Sequence, residues 1–240
     1  MQRKTLAALV FVTAALSWCA SPTFAYDGGP VSNGGTISGE VKLQGAAPAA
    51  KPVEVTKDKE VCGQHEIKTE DLEVGAGGGV ANAVVSITNI TKGKPMGPAE
   101  ATLDQKGCQY IPHVLLFPAG TSVKINNDDG ILHNIHTYST KNTPINMAQP
   151  KFKKTMEAKF DQPETVKVTC DAHGWMAGWF VVQDHPYYAK TDANGVAFAT
   201  ISGKSTSQSL KKGFYLNVHE KGSTAGVGAG VTCADIKPTK

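Results

Sequence analysis

Cys170, His173 and Met176 stand at C-x-x-H-x-x-M spacing in the stretch TCDAHGWMAG. Gaps of two residues let a loop curl until a thiolate, an imidazole and a thioether point at one centre. Upstream, the turn Asp128-Asp129-Gly130 leads into Ile131-Leu132-His133-Asn134-Ile135-His136, which brings further imidazoles within reach. Two imidazoles, one thiolate and a weak thioether make the donor set of a copper site that passes electrons. Cu(I) favours soft sulfur and low coordination, whereas Cu(II) favours nitrogen and a flatter geometry. A mixed set on a stiff scaffold suits both states, so little moves when the electron does. Zinc accepts the same nitrogens and thiolate but is a poor host for the thioether. The competing reading makes Cys170 a buried or disulfide-bonded cysteine and leaves His173 and Met176 as packing residues.

Either His133 or His136 could supply the second imidazole. Alternation puts the two on opposite faces of an extended strand, and the pairing of His133 with Asn134 favours His133, with His136 as the alternative. His113 and His136 otherwise read as surface or packed histidines, a second, weaker metal or proton site being the other reading.

Positioning such donors requires strands, and the sequence supplies them. Residues 36–43 (TISGEVKL), 81–90 (ANAVVSITNI), 113–117 (HVLLF), 122–126 (SVKIN), 164–169 (ETVKVT) and 179–182 (WFVV) are short alternating or β-branched runs bounded by Gly, Pro, Asn or Asp. Many short strands without helical periodicity predict an all-β sandwich or barrel. Thr191-Asp192-Ala193-Asn194-Gly195 reads as a tight hairpin turn in which Asn-Gly supplies positive φ angles. Residues 213–218 read as one more strand, and residues 221–240, rich in small residues, as a flexible tail.

The chain opens with Arg3 and Lys4, an apolar run over residues 6–16 and small residues ending at Ala25, the pattern of a secretory signal peptide cleaved after Ala25. The run is too short to span a bilayer. A lipoprotein box ending at Cys19 is the weaker alternative, because Trp18 is bulky where a small residue is needed. Processing would remove Arg3 and Lys4 and no acidic residue, so 24 basic against 21 acidic residues become 22 against 21. Near-neutral charge calls for no nucleic-acid or anionic-membrane partner, and no later stretch is long and apolar enough for a membrane span. Four cysteines remain, Cys62, Cys108, Cys170 and Cys233, and in an oxidising compartment their default reading is two disulfides.

The residues YIPHVLLFPAGTSVKINN, then LHN, then VKVTCDAHGWMAGWFVV resemble the cupredoxins, the plastocyanin and amicyanin family of blue-copper proteins, over residues 98–184. The short loop looks most like that of amicyanin. The resemblance implies a Greek-key β-barrel or sandwich holding one type 1 copper ion on His133, Cys170, His173 and Met176. It also implies that Asn134 ties the first ligand's loop to the cysteine loop. With Cys170 on copper, Cys62 and Cys108 become the expected disulfide pair, and Cys233 is left free or joins another molecule.

The flanks bear a second resemblance. GTISGEVKLQG and ANAVVSI before the copper segment, with YYAKTDANGVAF and GFYLNVHE after it, look like a carboxypeptidase regulatory-like β-sandwich. Residues 34–97 and 185–220 would then bracket the copper segment as two parts of one small domain; the alternative is one enlarged cupredoxin barrel with N- and C-terminal extensions. The whole implies a periplasmic or secreted one-electron carrier rather than an enzyme. Its partner would be a redox protein such as a cytochrome or copper enzyme, and the electron would cross His173 at an exposed apolar end formed with Trp175, Met176 and Ala177. The alternative is a copper-binding or delivery protein, or an extracellular binding module, without an electron-transfer role.

Overall fold

The computed structural model describes residues 26–201 apart from Asn33 and Asn89. The expected signal peptide over residues 1–25, the strand over 213–218, the tail over 221–240 and Cys233 lie outside the described residues. No helix among the described residues is long and apolar enough to cross a membrane.

Strands dominate. The first four are β1 (Asp27–Gly28), β2 (Gly35–Glu40), β3 (Val84–Ser86) and β4 (Lys92–Gly93), with the four-residue helix α1 (Lys59–Cys62) between β2 and β3. Then come β5 (Glu100–Lys106), β6 (Gln109–Ile111), β7 (Val114–Pro118), β8 (Thr121–Asn127), β9 (His133–Thr137) and β10 (Asn146–Gln149). The series closes with β11 (Thr155–Phe160), β12 (Glu164–Thr169), β13 (Ala177–Gln183), β14 (Tyr188–Lys190) and β15 (Val196–Ile201).

Two sheets carry the fold, one in the order β10-β9-β12-β13-β7 and one in the order β11-β8-β5-β6. Alternation decides what each buries. Val123 and Ile125 of β8, and Met156, Ala158 and Phe160 of β11, point inward, while Ser122, Lys124, Glu157 and Lys159 point out. The opposing sheet supplies Val166 and Val168 of β12, Phe117 of β7, Phe180 of β13 and Ile135 of β9. Phe117, Phe160 and Phe180 meet with ring centroids 5.2 to 5.7 Å apart, tilted or edge to face. Each such buried side chain contributes roughly 1.5–3 kcal/mol. The main body of the described residues is thus an all-β sandwich of two sheets.

The packing does not respect a boundary at residue 98. Val53, Val55, Val61, Cys62 and Ile67, expected to belong to a separate flanking domain, pack against the same core as β5 to β13. Their apolar side chains have a ready surface there, and the Cys62–Cys108 disulfide holds them to it.

Strands on either side of the central segment pair with one another. β2 pairs antiparallel with β15, and β3 with β14. Ile87 and Tyr187 form a second, smaller cluster with Tyr26, Ile37 and Ile90. The expected 191–195 hairpin is a turn of a different kind. Its flanking strands pair with β3 and β2 rather than with each other, so it hands the chain from one pair to the next. Only Gly195 takes a positive φ, 78°, and a Cβ there would clash with the Val41 carbonyl oxygen. The strand expected over 81–90 shortens to β3, whose partner β14 has only three residues to offer.

Candidate metal centre

His133 is the first residue of β9, and Cys170 follows the last residue of β12. The two strands pair antiparallel at their last two residues, Val168 with Thr137 and Thr169 with His136, so the chain that continues past Thr169 runs back toward the start of β9. The loop after Cys170 closes on itself. The Cys170 amide donates to the Met176 carbonyl at 3.2 Å, and the Met176 amide to the His173 carbonyl at 2.9 Å. The Asn134 side-chain oxygen accepts from the Asp171 and Ala172 amides at 2.6 and 3.3 Å. Its Nδ2 donates to Asn146 at 2.8 Å, and the buried Tyr110 hydroxyl donates to its carbonyl at 2.6 Å. Asn134 therefore sutures the strand that carries one imidazole to the loop that carries the thiol and the other imidazole.

Three donor atoms converge. The His133 and His173 Nδ1 atoms are 3.0 Å apart, and the Cys170 Sγ lies 3.9 Å from the first and 3.8 Å from the second. All three side chains are buried. Each imidazole also meets a carboxylate on its far edge, His133 Nε2 with Asp129 at 2.9 Å and His173 Nε2 with Asp58 at 2.9 Å. A carboxylate accepts and does not donate, so each Nε2 carries a proton, and each Nδ1 is the nitrogen that faces the centre.

The sulfur completes the set. Burial works against a thiolate, but hydrogen bonding with His133 and His173 and with the backbone of Asn134 and His173 brings the Cys170 thiol down to about 6. Burial likewise disfavours a charged His133, yet Asp129 and Cys170 beside it move it up. Asp129 goes down despite its burial, because His133 and the Cys108 and Gly107 amides donate to it. Donors about 2.0–2.3 Å from one ion lie about 3–4 Å from one another. The observed separations fit a metal ion held by two nitrogens and one sulfur.

The other expected residues fall as follows. Met176 closes the loop through its backbone and buries its side chain in the same core as Cys170. His136 stands apart, half-exposed, with Nδ1 2.9 Å from Asp171 and its ring stacked on Tyr138. His113 pairs with Glu70 at 3.3 Å. Among the described residues, neither His113 nor His136 joins a group of three potential ligands. Cys62 and Cys108 are disulfide-bonded, and Cys170 is the free cysteine of the described residues.

One expectation is corrected. The family resemblance puts His173 near an exposed apolar end, but the residue is 0% exposed. Asp58 meets its outer nitrogen, and the Trp175 indole lies 5.1 Å from its ring and donates to the Cys108 carbonyl. Sequence reasoning also missed both carboxylates. Asp129, four residues before His133, was legible as a neighbour; Asp58, 115 residues from His173, carries no local signal.

No protein-family model and no curated protein matches the chain. Among solved structures, a purple cupredoxin from Nitrosopumilus maritimus is 25% identical, the match covering 35% of this chain and 99% of that one at a TM-score of 0.30. An amicyanin variant is 17% identical over 43% of this chain and 94% of its own, at 0.33. A fern plastocyanin variant is 19% identical over 35% of this chain and 100% of its own, at 0.31.

Proposed function

We propose that the protein is a periplasmic or secreted copper protein that carries one electron at a time, in which His133, Cys170 and His173 would hold one type 1 copper ion, with Met176 as a weak thioether donor. The observation that carries this reading is the convergence of two imidazole Nδ1 atoms and a low-pKa thiol within 3.9 Å, with both outer imidazole edges committed to carboxylates. When bound, copper supplies a Cu(II)/Cu(I) couple. The chain's part is to hold the donors still and dry. β9 and β12 fix two of them, the closed loop fixes the third, and burial of all three excludes water. Such rigidity keeps rearrangement small in either oxidation state. A catalytic metal site keeps a position open to substrate; burial on every side suits a carrier rather than an enzyme. The partner in this reading is another redox protein, a cytochrome or a copper enzyme, met through a small and transient interface. The paired flanking strands are then a second, small β-sandwich that brackets the copper domain.

The test is to add Cu(II) to the full chain and record visible absorption and electron paramagnetic resonance spectra. An intense thiolate-to-copper band with narrow copper hyperfine splitting is the expected result. An ordinary, nearly colourless Cu(II) spectrum would overturn it. Tight retention of copper in one oxidation state with ready release of the other would instead favour copper delivery.

A further inference from the structure

The two carboxylates behind the imidazoles are held in different ways. Asp129 sits in the turn just before β9, where the Gly107 and Cys108 amides donate to it at 2.6 and 2.8 Å. Asp58 comes from a loop remote in sequence. It has φ 48° and ψ 46°, a left-handed conformation uncommon for a residue with a side chain. Its carbonyl accepts from the Val61 and Cys62 amides at 3.0 and 2.9 Å, which starts α1.

Cys62, at the end of α1, is bonded to Cys108, so the disulfide joins the short helix that begins at Asp58 to the residue whose amide supports Asp129. The ends of the loop are drawn together as well. The Val53 amide donates to the Ile67 carbonyl at 2.8 Å, and the Thr69 amide to the Lys51 carbonyl at 2.9 Å. Val53, Val55, Val61 and Ile67 seat it on the core. A loop closed at its base, packed underneath and bonded covalently at Cys62 has little freedom to lift.

We propose that residues 51–69 form a disulfide-anchored cover over the metal centre and that Asp58 is its positioning residue. The Asp58 carboxylate fixes the His173 ring with Nδ1 on the centre, and the cover closes the His173 outer edge to water and to any partner. A histidine donating to a carboxylate is also a stronger donor to a metal. This inference deepens the copper reading and rests on it only where copper is used below.

The first readout needs no metal. In the metal-free full chain, diethyl pyrocarbonate labelling followed by mass spectrometry should leave His173 protected while the half-exposed His136 reacts. Asp58→Ala should raise the His173 labelling rate about tenfold or more, the scale of a lost hydrogen bond to a charged group. Glu60→Gln, an exposed change on α1, should leave it unchanged.

The second readout is the reduction potential of the Cu(II)-loaded chain. Removing the carboxylate weakens the imidazole's donation to Cu(II) more than to Cu(I). A tenfold fall in the Cu(II)/Cu(I) affinity ratio raises the potential by about 59 mV for one electron. Asp58→Asn keeps an acceptor of the same shape without the charge, so His173 should stay protected while the potential still rises. That variant decides the matter if Asp58→Ala does not fold. Equal His173 labelling in wild type and Asp58→Ala, or an unmoved potential in Asp58→Asn, overturns the proposal. Failure of the unmodified protein to form the coloured copper complex overturns the functional reading instead, and the labelling still decides the cover.

Discussion

Each imidazole of the centre is a donor on one edge and a proton carrier on the other, and the neighbouring carboxylates decide which edge is which. The contribution of Cys170 follows from its surroundings, since burial opposes a thiolate while hydrogen bonding with the two histidines and with the backbone favours it. Cys170→Ser should therefore abolish the intense visible band completely while leaving the far-ultraviolet circular dichroism of the sheets intact. A band that survives would remove the thiolate from the site. His133→Ala should lose the band and His136→Ala should keep it, because His136 is engaged with Asp171 and Tyr138 away from the cluster. The opposite pattern would exchange their roles. Met176→Leu should keep copper bound but raise the reduction potential, as a weak donor to Cu(II) is lost. An unchanged potential and spectrum would mean that the thioether is not a ligand.

At the scale of elements, Glu164 shows how one side chain keeps a connection in place. It stands at the start of β12 and holds the chain between β9 and β10. Its carboxylate accepts from the Thr140 amide at 2.5 Å, the Thr140 hydroxyl at 2.8 Å, the Lys141 amide at 3.1 Å, and the Asn142 amide and side chain at 3.1 and 3.0 Å. Burial opposes its ionisation, but the Thr140 and Asn142 donors outweigh that and take its pKa to about 2 from 4.5. A carboxylate with a depressed folded pKa stabilises the fold above its unfolded pKa, and the stabilisation is lost as pH falls through the folded value. Glu164→Gln should thus cost about 1 kcal/mol at pH 6, less than the roughly 1.5–3 kcal/mol of a buried charged hydrogen bond because water screens the site. The gap from wild type should shrink between pH 4.5 and 2. Denaturant unfolding at several pH values would show it; a gap independent of pH would contradict this account. Of the core strands, β7, β8, β12 and β13 were legible as short runs of Val, Ile, Leu and Phe bounded by turn residues, whereas β5, β6, β10 and β11 were not singled out. The flanking strands were less so, because their lengths depend on partners about a hundred residues away.

Over the whole molecule, the Cys62–Cys108 disulfide joins the loop over the metal centre to the second sheet across 46 residues. Closing a loop of that length restricts the unfolded chain by about 4 kcal/mol in the chain-entropy model. The double substitution of Cys62 and Cys108 by Ala should lower unfolding stability by about that amount, read from the denaturant midpoint. An unchanged midpoint would mean that packing alone holds the loop. The smaller cluster around Ile87 and Tyr187 is separate from the core behind the metal centre. Tyr187→Ala should accordingly leave the copper spectrum unchanged, and a shifted spectrum would show that the flanking strands support the centre.

The sequence by itself determined the all-β class and singled out Cys170, His173 and Met176, because strand alternation and a short metal-binding loop are local patterns written in neighbouring residues. It also ranked His133 above His136: alternation puts the two on opposite faces of one strand, and Asn134 beside His133 favoured that residue. Tertiary structure alone decided that His173 is covered, that residues 51–69 belong to the core of the metal-binding sandwich, and that Asp58 stands behind an imidazole 115 positions away. Those outcomes depend on which apolar surface a loop finds and where a disulfide anchors it, and no local spacing encodes either.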